Sequence, residues 1–303
     1  MKRIKLIFNP HADRGRAWDI ASSLKGIIAG KGEFDWASTE YPGHATEIAR
    51  QAALDGYDVV AALGGDGTVH EIVNGLMSVP AERRPLLAAV PIGSGNDFCH
   101  NVGIPGDHEQ AMQRILTGTP HPIDIGRLTD GSGRTEFWDN TLGVGFDATV
   151  TIYSYQITRL QGFAMYLWAV IQTIVRNHTA PRMRIQTDQE SIDEAVLMLT
   201  VCNGPREGGG FRVAPAALPN DGILDFAIIG KVSRAMMFRL IPEVMNGTHG
   251  RFRQVRLGRC HRLEMTADHP VTIHTDGEIF AGFTSSVSQL TVEILPSALQ
   301  VIL

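Results

Sequence analysis

The sequence predicts an α/β protein in two parts, an N-terminal doubly wound domain on a mainly parallel sheet and a C-terminal, mostly antiparallel β-sandwich domain. Three observations predict it. The chain has 303 residues, about two domains at roughly 150 residues each. Residues 1–125 alternate buried-strand patterns with helical ones, which implies an open parallel sheet. After Asp124 the pattern changes to repeated strands with apolar–polar alternation, as in an antiparallel sheet with one face covered.

Taken in order, Ile4 to Phe8, Val59 to Leu63 and Leu86 to Val90 are short apolar runs closed by Asn-Pro, Gly-Gly and Pro-Ile-Gly, as expected of buried strands entering loops. Ala45, Ile48, Ala49 and Ala52, like Val69, Ile72, Val73 and Leu76, recur at helical spacing. Trp18 to Ala29 and Glu109 to Thr117 are further helix candidates. In residues 126–294, strands are expected at Val196 to Val201, Leu224 to Ile229, Leu263 to Met265, Val271 to Ile273 and Leu290 to Ile294, with one helix around Ala164 to Arg176. Residues 295–303 are expected to pack back onto the first domain.

Composition excludes several classes. Hydrophobic residues at 44% and charged residues at 19% rule out disordered, collagen-like and coiled-coil chains. A net charge of −5 argues against nucleic acid as a partner. Cys99, Cys202 and Cys260 are dispersed and odd in number, indicating neither a disulfide framework nor a zinc site and pointing to the reducing cytoplasm. Asn9-Pro10 cuts the first apolar run short of a signal peptide, and Gly162 to Val175 is too short to cross a bilayer.

In an open α/β sheet, ligands bind beyond the carboxyl ends of the strands. There Gly64-Gly65-Asp66-Gly67-Thr68 leaves a strand and opens a helix, where backbone N–H groups and the helix dipole receive phosphate. The same stretch also reads as a glycine turn with a capping box from Thr68 to Glu71. Pro91-Ile92-Gly93-Ser94-Gly95-Asn96-Asp97 supplies a second small polar loop, and Asn9, Pro10 and Gly15 a weaker third. Gly30-Lys31 lacks Walker A spacing. Gly143 to Ala148 matches G-x-G-x-x-A, but the next acid, Asp188, is too distant for a ribose contact.

Gly64 to Thr68, Pro91 to Phe98, Gly143 to Ala148, Asn203-Gly204 with Gly208-Gly209-Gly210, Ala214-Pro215 leading to Asn220-Asp221-Gly222-Ile223-Leu224-Asp225, and Asp276-Gly277-Glu278 follow one another along nearly the whole chain. In this order the chain resembles the diacylglycerol kinase catalytic family, close to bacterial YegS-like lipid kinases. NAD kinases and phosphofructokinases share only the GGDG element. The resemblance implies ATP contacts at Asn9, Thr39, Gly64, Gly65, Asp66, Gly67, Thr68, Glu71, Ser94, Asn96 and Asp97. It implies Mg²⁺ held by the Asp221 carboxylate with the Leu218 and Ile223 carbonyls, a donor set suited to Mg²⁺. It also implies that Glu278 or Asp276 takes the acceptor hydroxyl's proton. On their own, Asn220-Asp221-Gly222 and Asp276-Gly277 read as turns. The family commonly has Asn where this chain has His70, and Ser-Gly after the Pro at position 10.

Ala148 to Thr187 contains no acid but carries Arg159, Arg176, Arg182 and Arg184 beside Tyr153, Tyr155, Phe163, Tyr166 and Trp168. A helix here either meets an anionic bilayer or acyl chain or packs in a core flanked by solvated arginines. Arg251, Arg253, Arg256, Arg259 and Arg262 read as solvated loop, and His261, His269 and His274 as surface or packing residues lacking metal spacing. The expected activity is phosphoryl transfer from ATP to a lipid alcohol, by a cytoplasmic protein meeting the inner membrane face peripherally, with homodimer formation left open. A kinase for a soluble alcohol such as NAD, or a silent nucleotide or lipid sensor, are the alternatives.

Overall fold

The computed structural model describes residues 2–12 and 17–303; Asp13, Arg14 and Gly15 of the first loop lie outside the described residues. The elements run β1 (Arg3–Phe8), α1 (Ala17–Ile28), β2 (Glu33–Ser38), α2 (His44–Leu54), β3 (Val59–Gly64), α3 (Asp66–Met77), β4 (Leu86–Pro91), α4 (Asp97–Val102) and α5 (His108–Thr117). They continue with β5 (Pro120–Asp130), β6 (Thr135–Trp138), β7 (Thr141–Gly145), α6 (Phe146–Ser154), α7 (Gly162–Arg176), β8 (Arg182–Thr187), β9 (Ser191–Cys202), β10 (Leu224–Gly230) and α8 (Arg234–Asn246). The last are β11 (Val255–Cys260), β12 (Arg262–Ala267), β13 (Ile273–Thr275), β14 (Glu278–Ala281) and β15 (Gln289–Ile302). Two compact units result, Met1–Ile125 with Pro296–Leu303, and Gly126–Leu295.

In the first unit β2, β1, β3 and β4 lie side by side and parallel. Val301 of β15 joins beyond β4, and Leu303 exchanges backbone hydrogen bonds with Thr119. All six residues of β3 are buried, as a parallel strand covered on both faces requires. Helix α2 packs on α3, and α1 on α5. The parallel register, with Ile7 beside Ala62 and Leu63 beside Val90, ends β1, β3 and β4 at one edge.

The second unit is a pair of antiparallel sheets. One runs β14-β13-β7-β9-β10-β11; the other carries β8, β12, β15, β5 and β6. Strand β9 belongs to both, pairing β8 through Ser191–Ala195 and β7 through Met198–Cys202. Between the sheets lies a core including Trp138, Leu142, Leu199, Phe226, Leu263 and Val292. A second core, with Ile174, Met198, Phe211 and Leu240, sits under α7 and α8.

Four expectations change. Three helices, not one, interrupt the β unit: α6, α7 and α8. Strand β13 begins at Ile273, two residues late. Helix α3 begins at Asp66 with Gly65 as its N-cap and no side-chain cap, so Thr68 lies inside the first turn and there is no capping box. Finally, much of the Arg251–Arg262 stretch is strand rather than loop, and four of its five arginines are paired, Arg251 to Glu243, Arg256 to Glu190, Arg259 to Asp221 and Arg262 to Glu264 and Glu293.

Candidate functional site

In the first unit the loops leaving β1, β2, β3 and β4 are tied together by backbone hydrogen bonds, Asn9 N to Leu63 O at 3.0 Å, Thr39 N to Phe8 O at 2.9 Å and Ile92 N to Gly64 O at 2.8 Å. The two glycine loops touch at Gly65 and Gly93, where a Cβ on Gly93 would fall 2.4 Å from Gly65 Cα. Any side chain there would force the loops apart. Asn96, in left-handed backbone at φ 52°, closes the second loop by accepting from Gly93 N at 3.0 Å and donating to Gly93 O at 2.7 Å. Ser94 stands exposed at its tip, while Asp97 is buried.

The polar side chains assigned to nucleotide divide into two groups. Asp66 accepts from Phe98 N at 3.0 Å, holding the start of α4 beside the first loop. Asn9 Nδ2 donates to Thr68 Oγ1 at 3.2 Å and Asn9 Oδ1 accepts from His11 N. Glu71 accepts from Gly43 N at 2.8 Å and Ala45 N at 2.9 Å, so its carboxylate serves the start of α2. These side chains brace the loops; Gly64, Gly65, Gly67 and Ser94 and the uncapped start of α3 are what a phosphate would meet. His70 is buried, with Asn74 Nδ2 donating to its carbonyl at 2.9 Å.

In the second unit Asp276 and Gly277 link β13 to β14 with φ of 51° and 85°, the two positive angles of a tight two-residue hairpin turn. The Asp276 carboxylate accepts three backbone N–H groups, Asp139 at 3.0 Å, Asn140 at 2.8 Å and Thr141 at 3.0 Å. Asp276 N donates to Thr141 O at 2.7 Å. The turn is thereby stapled to the start of β7. Glu278 opens β14, half-buried, with Tyr155 hydroxyl 2.8 Å from its Oε2 and 3.1 Å from Gly277 O. Partial loss of hydration at the hydroxyl, and then the facing Glu278 charge, push the Tyr155 phenol well above its usual range, so it remains a donor. Tyr155, and on the hairpin Ile279 and Phe283, are exposed, and Phe283 meets Tyr153 at 6.0 Å between ring centres.

Asp221 forms the bend leading to β10, not a hairpin. Its Oδ1 accepts from Ile223 N at 3.2 Å and its other oxygen pairs with Arg259. The same guanidinium lies 3.4 Å from Asp225 Oδ2, a buried oxygen without a hydrogen bond. Burial, opposed by Arg259 and reinforced by Asp221, raises the Asp225 carboxyl above its usual range. Asp221 and Asp225 offer carboxylate oxygens of the kind Mg²⁺ takes, both here facing the Arg259 guanidinium. Asp225 was not among the expected ligands.

Helix α7, for which membrane contact and core packing were alternatives, packs one face into a core and leaves the other exposed. Ala169, Thr173 and Ile174 are buried, with Tyr166 and Val170 packed on the same core. Ala164, Trp168 and Val175 are exposed on the other side. No helix among the described residues is long and apolar enough to cross a membrane. Reasoning from sequence missed Tyr155 as a partner of Glu278 and His274 as a member of a polar cluster; no local signal marks either.

Residues 3–128 match the diacylglycerol kinase catalytic domain family, and residues 140–303 the YegS C-terminal NAD kinase beta sandwich-like domain. A diacylglycerol kinase of Bacillus subtilis (strain 168) is 29% identical over 282 residues, spanning 92% of this chain and 90% of the relative. A Chromohalobacter salexigens protein described as "Probable lipid kinase YegS-like" is 32% identical over 240 residues, 78% and 74% of the two chains. The crystal structure of a diacylglycerol kinase from Bacillus anthracis str. Sterne superposes with a TM-score of 0.75 at 21% identity, covering 99% of this chain and 96% of that one. At that identity the likeness speaks to the fold.

Proposed function

Because the chain belongs to the diacylglycerol kinase catalytic family, with the C-terminal domain of its YegS-like lipid kinases, and is therefore a phosphotransferase, we propose that it transfers the γ-phosphoryl group of ATP to the hydroxyl of a diacylglycerol-like lipid alcohol. The glycine loops at Gly64 to Thr68 and Gly93 to Asp97 receive the nucleotide phosphates through backbone N–H groups. Glu278 accepts the hydroxyl proton as the acceptor oxygen attacks phosphorus. Tyr155 holds that carboxylate in place, and Asp276 holds the turn that presents it. Mg²⁺, bound through Asp221 and the Leu218 and Ile223 carbonyls, would supply positive charge against the phosphoryl oxygens; Asp225 adds negative charge beside it.

The observation carrying the lipid assignment is the exposed apolar surface on the hairpin that presents the half-buried Glu278: Ile279 within β14 and Phe283 just after it, with exposed Tyr155 hydrogen-bonded to the carboxylate. A hydroxyl on an apolar chain suits that setting. The exposed face of α7, with Trp168 and Val175 between Arg159 and Arg176, supports peripheral contact with an anionic, cytoplasmic membrane surface. The test is ADP release from Mg-ATP with a panel of lipid alcohols in mixed micelles, alongside NAD and a blank without acceptor, for the wild type and Glu278→Gln. Turnover with a lipid that falls about a hundredfold or more in Glu278→Gln is expected. Turnover only with NAD, or ATP binding with no turnover, overturns the lipid kinase reading.

A further inference from the structure

Strand β13 sets His274 opposite Gly143 of β7, with the imidazole almost wholly buried. A Cβ at Gly143 would come within 2.3 Å of both His274 Nε2 and Asp147 Oδ2, so the bare backbone leaves room for these groups to meet. His274 Nε2 lies 3.3 Å from Asp147 Oδ2, a close approach without hydrogen-bond geometry. The same carboxylate oxygen accepts from Thr200 Oγ1 at 2.7 Å, and a Glu207 carboxylate oxygen lies within 4.8 Å.

The other ring nitrogen settles what this cluster does. His274 Nδ1 accepts the N–H of Gly277 at 3.2 Å, inside the turn that presents Glu278. Nδ1 must therefore carry a lone pair, and in the neutral ring the proton sits on Nε2, toward Asp147. Asp147, Glu207 and His274 have ligand atoms within 4.8 Å of one another, close enough for a divalent cation, but a protonated Nε2 has no lone pair for one.

We infer that His274, packed against Asp147, is a positioning residue that fixes the Asp276–Gly277 turn and so aims Glu278. Helix α6 then grips the hairpin twice, through Asp147 in its first turn and through Tyr155 at its C-terminal end. The inference rests on the reading of Glu278 as the base.

Two substitutions separate positioning from filling space. Asn at 274 offers an oxygen near the Nδ1 position, whereas Gln carries its polar end near Nε2 and loses that acceptor. His274→Gln is expected to lower kcat about tenfold with KM for ATP unchanged, and His274→Asn to recover most of it. Equal losses in both, or none in His274→Gln, overturn the inference. Ring ¹⁵N shifts of the wild type provide a readout independent of turnover: the Nε2–H tautomer with a protected Gly277 amide is expected, and an Nδ1–H tautomer, or stoichiometric Zn²⁺ binding lost in His274→Gln, overturns it. Glu278→Gln with wild-type turnover would sink the base assignment and leave the tautomer and the Gly277 amide as tests of the His274 contact.

Discussion

Asp276→Asn tests whether this carboxylate is a staple or a reactant. Asn tolerates the left-handed φ of 51°, so the substitution leaves backbone strain unchanged and alters only charge and hydrogen bonding. Of the three N–H groups now accepted, two can still meet the remaining oxygen. The third faces an amide NH₂. Losing a charge-assisted hydrogen bond and leaving one donor unsatisfied costs about 2–4 kcal/mol. For a unit of this size that is a fall in melting temperature of roughly 5–10 °C. Thermal melts of the full chain, followed by circular dichroism, should show it, with lowered turnover because Glu278 shifts with the turn. A variant that melts as the wild type but loses turnover would make Asp276 a reacting group and refute the staple.

Asp221→Asn should raise the Mg²⁺ concentration for half-maximal rate roughly tenfold with the fold intact, because one of two adjacent carboxylates is lost; an unchanged Mg²⁺ titration defeats that assignment. Trp168→Glu, on the exposed side of α7, should leave the melting temperature unchanged and reduce sedimentation with anionic vesicles about fivefold or more; equal sedimentation removes α7 from the membrane. Glu293, hydrogen-bonded to Arg127 and paired with Arg262, is held below the usual glutamate range against the opposing effect of burial. Its contribution to stability is present above the unfolded-state value, near pH 4.3, and is lost as pH falls through the lower folded value. Urea midpoints between about pH 5 and pH 3 should therefore fall less steeply for Glu293→Gln than for the wild type; parallel curves would refute the pairing.

What could be read along the chain was what local physics governs. Buried parallel strands are short apolar runs that stop at glycine or proline, so β1, β3 and β4 and the loops leaving them were visible directly, as were α2 and α3 from their helical spacing. The tight turn at Asp276-Gly277 was visible for the same reason, since two positive φ angles demand such residues.

Contacts across the fold were hidden. Strand β2 is partly buried in its middle and exposed at both ends, and shows no apolar run. Helix α6 contains Thr149, Val150, Thr151 and Ile152, which favour strands by propensity, yet Ala148, Val150 and Thr151 are buried in a helix because tertiary packing overrides a weak intrinsic preference. Tyr155 reaches Glu278 across 123 residues, and the proton position on His274 depends on a backbone N–H and a carboxylate from separate elements. Residue types can announce a turn or a phosphate loop because those are properties of a few consecutive residues. The hydrogen bonds that hold a base in place exist only when distant segments are brought within about 3 Å.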